Sequence, residues 1–340
     1  MPALLDALHK AIGRQNLSEE EASAALEEIL AAGAAPAAVA ALLVALRMKG
    51  ETVEEVAGFA RALRRRAGRV ECPPDPRPLI DTCGTGGDAA GTFNISTAAA
   101  FVVAGAGARV AKHGNRSVSS LCGSADVLEE LGVGLDPGSA AVAACIQKVG
   151  IGFLFAPSFH PAMRQVQPIR VELKMRTIFN LLGPLANPAG AAVQIAGVYE
   201  PRLVRLAAEA FARLGLGRGL VVHGSDGLDE ITTTGPTAAA EIRDGVVSER
   251  TLAPADFGVP AARPEQLRGG DPRENAAILR AVLDGAPGPH RDIVLVNAAA
   301  ALYTAGLAAD LCAAMALARQ SIESGCALEK LQQMVKFTSL

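Results

Sequence analysis

Asp81-Thr82-Cys83-Gly84-Thr85-Gly86-Gly87-Asp88 is entered from a short apolar run and followed by Phe93-Asn94-Ile95-Ser96-Thr97. Three glycines in four positions let bare backbone N–H groups approach an anion, and Asn94, Ser96 and Thr97 add side-chain donors where a helix would begin. That is the chemistry of a phosphate cradle. It is not a P-loop, which needs Gly-Lys-[Ser/Thr], nor a good dinucleotide fingerprint, which would take Ala89 as its third small residue and an acid about 20 residues on. A strand-to-helix turn that merely needs glycine is the plainer alternative, so the phosphate reading requires a second anchor.

Lys112-His113-Gly114-Asn115-Arg116-Ser117-Val118-Ser119-Ser120 supplies it. After a short strand at Arg109 to Ala111, this loop gathers charge-assisted donors and hydroxyls, and Gly114 permits close approach. Alone it would read as a solvated basic loop. Two separated phosphate loops suit a ligand phosphorylated at both ends. Asp229-Glu230 follows the apolar run Gly219 to Val222 and falls at the carboxyl edge of a sheet, where open α/β folds place ligands. Adjacent acids there suit magnesium, with Ser96 as a hydroxyl ligand and Asp226 as a competing acid. Arg170 can clamp a carboxylate bidentately or pair with Glu172. The turns Gly183-Pro184 and Asn187-Pro188 can shape a pocket wall. Cys83 reads as a small side chain beside the turn, not a nucleophile. Histidines 9, 113, 160, 223 and 290 have no metal-ligand spacing, and no Ser-His-Asp order stands out.

The elements that must position these residues come in two kinds. Residues 1–70 read as a helical domain, with apolar residues at helical spacing and capping boxes at Ser18/Glu21 and Thr52/Glu55. Gly50 stands where a helix would end. Such a small unit must bury a face, and a dimer contact is expected there. A later segment near residues 165–190 is a candidate addition to it. Residues 71–78, with four prolines between Cys72 and Pro78, form a linker or hinge. Residues 79–340 alternate apolar runs with helical patterns, at Leu79-Ile80, Arg109 to Ala111, Val193 to Val198, Gly219 to Val222 and Ile293 to Val296. Asp244-Gly245 marks a two-residue hairpin, so the central sheet should be mixed. Gly258 to Gly288 reads as irregular, before a final helical region.

Composition narrows the class. A net charge of −3 over 340 residues offers no general nucleic-acid or anionic-membrane surface. Six scattered cysteines without a C-x-x-C pair argue against a zinc site or disulfide framework and fit a reducing cytoplasm. No signal peptide or membrane span is expected.

Gly84 to Asp88, Asn94 to Thr97, Lys112 to Ser117, Arg176 to Pro188 and Asp229-Glu230, in this order and spacing, resemble anthranilate phosphoribosyltransferase along nearly the whole chain. The resemblance implies a small all-helical N-terminal domain and a larger α/β domain of the nucleoside phosphorylase type, dimeric through the helices. It implies transfer of the phosphoribosyl group of 5-phosphoribosyl 1-pyrophosphate to the amine of anthranilate, in tryptophan biosynthesis. Position by position, Gly84, Gly87, Asp88, Thr92, Asn94, Ile95, Ser96, Thr97, Lys112, His113, Gly114, Asn115, Arg116, Ser117, Val118, Ser119, Ser120 and Ser124 would line the phosphoribosyl pyrophosphate site. Ser96, Asp229 and Glu230 would hold magnesium, as two ions. Gly84, Asn115 and Arg170 would contact anthranilate, with His113 and Pro184 nearby; the general base is unassigned, His113 being the candidate. The rivals are a pyrimidine nucleoside phosphorylase, sharing the fold, and a non-catalytic paralogue that binds nucleic acid.

Overall fold

The computed structural model describes every residue except Met1, Ala32, Ala89, Val118, Ser119, Ser120 and Leu340. The chain opens with four helices, α1 (Pro2–Ile12), α2 (Glu19–Ile29), α3 (Pro36–Lys49) and α4 (Val53–Arg66). Both anticipated capping boxes form, with the Ser18 and Thr52 hydroxyls accepting from Glu21 N and Glu55 N, and Gly50 ends α3. The buried Glu55 carboxylate does more than cap. It also accepts from Leu17 N at 2.9 Å and pairs with Lys49 Nζ at 3.0 Å, tying three segments of the bundle together. Gly58 lets α4 lie against α2, since a Cβ there would overlap Glu19 O and the Ala22 side chain.

Past the proline-rich segment the chain builds β1 (Leu79–Asp81), α5 (Ile95–Gly105), β2 (Arg109–Gly114), α6 (Ser124–Glu130), α7 (Ser139–Val149) and β3 (Ile151–Phe155). Short helices α8 (Ala156–Phe159), α9 (Gln167–Leu173) and α10 (Phe179–Leu185) follow. Then come β4 (Val193–Gly197), α11 (Leu203–Arg213), β5 (Arg218–Gly224), β6 (Thr237–Arg243) and β7 (Val246–Leu252). The chain closes with α12 (Pro272–Leu283), α13 (Pro289–Thr304), α14 (Leu311–Glu323) and α15 (Cys326–Thr338). The seven strands order as β3-β2-β1-β4-β5-β6-β7. Pairing is parallel from β3 to β5 and antiparallel from β5 to β7, the mixed sheet expected. Asp244 and Gly245 take φ of 52° and 77°, the left-handed pair that a tight hairpin needs. The chain leaves β1 toward β2 on one side and returns to β4 on the other, so β1 is the topological switch point, where a crevice opens at the strands' carboxyl ends.

Three expectations are corrected. Ile293 to Val296 is not a strand but the buried middle of α13. That helix is enclosed from Ile293 to Leu302, so it shows no polar face, and its branched residues imitate a strand. Gly258 to Gly288 is not wholly irregular, because Asp271 caps α12 within it by accepting from Glu274 N. Lys112, His113 and Gly114 belong to β2 rather than to the loop after it.

One hydrophobic core wraps α5 and α13 on one face of the sheet. The second joins α1 to α4 with α9, α10, α11 and the other face. Phe59 meets Phe179 edge-on at 6.2 Å, Arg64 Nε donates to Leu185 O at 2.6 Å, and Arg47 pairs with Glu200 at 2.9 Å. The helices are thus fixed to the segments that follow β3 and β4. Gly58→Ala should lower stability by about 1–3 kcal/mol through overpacking of α2 against α4, measured by urea unfolding; an unchanged midpoint would contradict the close approach.

Candidate active site

The crevice is organised from beneath by Asp81, fully buried at the last position of β1. Its Oδ1 accepts from Cys83 N at 3.0 Å and from His113 N at 3.2 Å, and its Oδ2 accepts from Asn187 Nδ2 at 2.7 Å. Asn187 also donates to Ala111 O at 2.9 Å. One carboxylate therefore joins the glycine loop, β2 and the turn after α10. Burial pushes its pKa up to about 6, against the pull of Lys112.

Because β2 continues through Gly114, its alternation sends Lys112 and His113 to opposite faces. Lys112 Nζ reaches Thr82 O and Oγ1 and the Ser96 hydroxyl at 3.3–3.4 Å, beneath the glycine loop. His113 faces away, with Nδ1 at 3.1 Å from Gly183 O and its ring 5.1 Å from that of His160. Burial holds the His113 pKa down to about 4, so this imidazole is neutral near pH 7 and adds no cation to an anion site. Its Nδ1 carries the proton toward the carbonyl, and its buried Nε2 has no hydrogen-bond partner.

Asp229 and Glu230 close the cradle opposite Lys112. Asp229 Oδ2 accepts from Gly86 N at 2.7 Å, and Glu230 Oε1 accepts from Ser96 N at 3.2 Å, in the first turn of α5. The helix dipole favours a negative charge there. Gly84 allows this approach, since a Cβ would stand 2.8 Å from Asp229 Oδ2; at Gly197 a Cβ would overlap the Asp229 backbone. From below, Asn297 on α13 accepts from Ile231 N at 3.0 Å and donates to Ile231 O at 2.9 Å, fixing the segment. Both carboxyls are held well above the ordinary range, first by burial; Asp88 and Glu230 add repulsion at Asp229, and Lys112 partly relieves Glu230. Asp226 turns away, its Oδ2 accepting from the Thr232 and Thr234 hydroxyls at 2.6 Å, so it braces its own turn.

Among the described residues no three His, Cys, Asp or Glu side chains converge as a protein-only metal cage. Two carboxylates beside a hydroxyl, in a pocket where uncompensated negative charge is costly, nonetheless match a hard cation that takes its other ligands from phosphate and water. The donor set fits magnesium.

Two arginines stand on the segment between β3 and β4. Arg170 of α9 is half-buried, 5.7 Å above the Phe179 ring, and burial lowers its pKa. No described carboxylate pairs with it, so Glu172 is not its partner and its fork is open to a ligand. Arg176 stacks on Tyr199 at 4.2 Å and donates to Gly87 O, fastening the glycine loop to the segment that carries Arg170.

The remaining predicted residues are placed less uniformly. Thr92 bridges to Arg268, and Asn94 is spent on Cys122 O at 3.2 Å and Asn275 Nδ2 at 3.1 Å. Ile95 and Thr97 point into the core, leaving only their backbone for a ligand. Asn115 is exposed, and its carbonyl accepts from Ser124 Oγ at 3.3 Å. Gly114 makes room for Ser124 and Phe153. Arg116 is turned to α6, paired with Asp126 at 2.9 Å and Glu129 at 2.7 Å, and Ser117 N donates to Asp126 at 3.0 Å. Val118, Ser119 and Ser120 lie outside the described residues. Cys83 is held protonated by burial.

Residues 5–67 match the helical bundle domain of a glycosyl transferase family, and residues 76–328 match its a/b domain. The anthranilate phosphoribosyltransferase of Solibacter usitatus is 56% identical over 337 residues, spanning 99% of both chains. That of Pelotomaculum thermopropionicum is 54% identical, covering 98% of this chain and 96% of its own. The chain belongs to the anthranilate phosphoribosyltransferase family. Among solved members, the Thermus thermophilus enzyme superposes with a TM-score of 0.93 at 46% identity, over 98% of this chain and 100% of its own. The Saccharomyces cerevisiae enzyme, in complex with PRPP and Mg, gives 0.90 at 30%, over 99% and 98%.

Sequence reading missed Asp81 as a hub, together with Asn187, Gly197, Arg176 and Asn297, although Asp81, Asn187 and Arg176 lie inside its own motifs. Asp81 and Asn187 could have been suspected as polar residues in apolar surroundings, which need each other. Gly197 and Asn297 left no signal, since their role is visible only once Asp229-Glu230 is in place.

The raised acids have a measurable consequence. The folded chain keeps protons on Asp81, Asp229 and Glu230 that the unfolded chain has released. Metal-free stability should therefore fall as pH rises from about 4 through 6 and toward neutrality, the penalty being absent below the ordinary carboxylate range. Glu230→Gln should be about 1–3 kcal/mol more stable than the parent at pH 7 without metal, with the difference vanishing near pH 4, in paired urea titrations. A variant less stable at pH 7 would contradict the burial penalty.

Proposed function

We propose that this chain transfers the phosphoribosyl group of 5-phosphoribosyl 1-pyrophosphate to the amine of anthranilate, yielding N-(5-phosphoribosyl)anthranilate and pyrophosphate in tryptophan biosynthesis. The observation that carries the reading is the division of the crevice by β2, with Lys112 on one face and His113 on the other. The Lys112 face, with the glycine loop and the first turn of α5, is built for phosphates. The other face carries His113, His160 and the α10 turn, and with Arg170, whose guanidinium meets no described carboxylate, it suits an aromatic carboxylate.

Ser96, Asp229 and Glu230 would hold magnesium, in our reading two ions, and the metal would supply positive charge for the pyrophosphate. Lys112 adds its own positive charge beside Ser96, and the glycine-loop N–H groups offer preorganised donors to the departing oxygens. Departure leaves positive charge on the sugar, so the protein must position the amine more than activate it. Arg170 anchors the acceptor's carboxylate, Asn115 borders the opening, and Gly84 lies where both substrates would meet. His113, neutral and with its proton on Nδ1, presents at Nε2 an acceptor of low basicity, suited to orienting an amine hydrogen rather than removing it.

We propose a homodimer through the helical domain, supported by Leu5, Ile12 and Met48 on α1 and α3, which stand 38%, 64% and 71% exposed. Six free thiols, and the lack among described residues of a helix long and apolar enough to cross a membrane, support placing it in the cytoplasm. Neither nucleic acid nor membrane enters the proposal. The five motifs in order favour this activity over nucleoside phosphorolysis.

Purified protein should consume anthranilate only when 5-phosphoribosyl 1-pyrophosphate and Mg²⁺ are both present, and chelation should abolish turnover. Phosphorolysis of thymidine or uridine instead would overturn the proposal. Arg170→Ala should raise the KM for anthranilate about 10- to 100-fold while sparing that for 5-phosphoribosyl 1-pyrophosphate; equal losses for both would sink the carboxylate-clamp role.

A further inference from the structure

A cavity of about 670 Å³ lies where the end of α4 and the residues after it meet the turn after α10 and the amino ends of β4 and β5. The crevice described above opens at the carboxyl ends of these strands, and Asn187 and Gln194, whose amides donate to Asp81 and to Cys83 O beneath it, stand in the wall of the cavity. Its walls are largely apolar, from Val70, Pro188, Phe211, Leu214 and Leu216. Its charged feature is Arg64. Along α4, Arg61 pairs with Glu19, and Arg65 and Arg66 pair with Glu27. Arg64 alone of the four has no described carboxylate. Its Nε is used on Leu185 O at 2.6 Å, which fixes the plane of the fork, and its two terminal nitrogens have no described partner. Arg69 and Glu71 stand exposed at the rim, and neither forms an ion pair with another described residue.

Burial distinguishes Arg64 from the exposed Arg69. Arg64 and Arg170 are the two arginines among the described residues whose pKa is lowered, in each case first by burial; at Arg64 the neighbouring Arg61 adds to it. A partly desolvated guanidinium with no counter-charge costs stability unless an anion joins it. At Arg170 the substrate is that anion. The hinge cavity has no such assignment.

We infer that the cavity between α4 and the amino ends of β4 and β5 is a second ligand site, which takes a small carboxylate with an apolar body. The carboxylate would meet the Arg64 fork, and the body would lie against Phe211, Leu214 and Leu216. Because Arg64 belongs to the helices and those leucines to the sheet side, a bound ligand would bridge the two parts. The comparison with Arg170 rests on the function proposed above, whereas the cavity and the Arg64 fork do not, and the bromine peak beside Arg64 tests them separately.

The probe is 4-bromobenzoate, whose bromine is locatable by anomalous scattering. Soaked into crystals of the intact protein, it should give a bromine peak between Arg64 and Leu216, apart from any peak beside Arg170. In solution, calorimetry on the intact protein should show two binding events. Arg64→Met should weaken one at least tenfold and Arg170→Met the other, and Arg64→Lys, which keeps charge and stem, should bind more weakly than the parent. The anomalous peak needs no variant, so a poorly folding Arg64→Met leaves the test standing. An empty cavity in the soak, binding confined to Arg170, binding seen only at crystal concentration, or displacement by inorganic phosphate as readily as by benzoate would each overturn the inference.

Discussion

A single buried carboxylate sets the shape of the site. Asp81 ends the central strand, at the point where the connections diverge, and its two oxygens are shared among the glycine loop, β2 and Asn187 of the turn beyond α10. No other described side chain is shown hydrogen-bonded to all three. Its burial would be unfavourable in isolation; three donors and the nearby Lys112 make it tenable and leave its pKa at about 6. The loop above can then be rich in glycine without being loose, because its start is bonded to the strand beneath it.

The same economy governs the opposite wall. Asp229 and Glu230 are packed against backbone N–H groups in a site that resists their ionisation, held there by Gly84 and Gly197 from one side and Asn297 from the other. Such an arrangement is unfavourable for the empty protein and favourable once positive charge arrives. Arg170 and Arg64 show the mirror image, guanidinium groups set partly out of water with no acid to meet them. On the function proposed and the inference drawn above, the missing counter-charge would in both cases come from a ligand, and stability would be given up for affinity.

Much of this was legible in the sequence because loops that bind phosphate are written in local chemistry. Gly84 to Asp88, the capping boxes and the Asp244-Gly245 hairpin depend on a few adjacent residues and their φ angles, and local pattern suffices for them. What failed depended on distant partners. Ile293 to Val296 imitates a strand because α13 is enclosed on every side, and enclosure erases the polar face that marks a helix. The pairing of Arg116 with Asp126 and Glu129 of α6 is likewise invisible in its own loop. Lys112 and His113 looked like one basic cluster, and only the extension of β2 by three residues shows them to serve opposite faces.

The most direct test of this account is steady-state kinetics of Asp81→Asn, with each substrate varied in turn. The amide keeps the volume but places a donor against a donor at Asn187 or at the loop, so the link among the three walls breaks while a buried charge is removed. The account predicts higher KM values for both 5-phosphoribosyl 1-pyrophosphate and anthranilate, with no loss of stability at pH 7. Parental kinetics, or a loss confined to one substrate, would contradict the claim that Asp81 holds the donor and acceptor walls together.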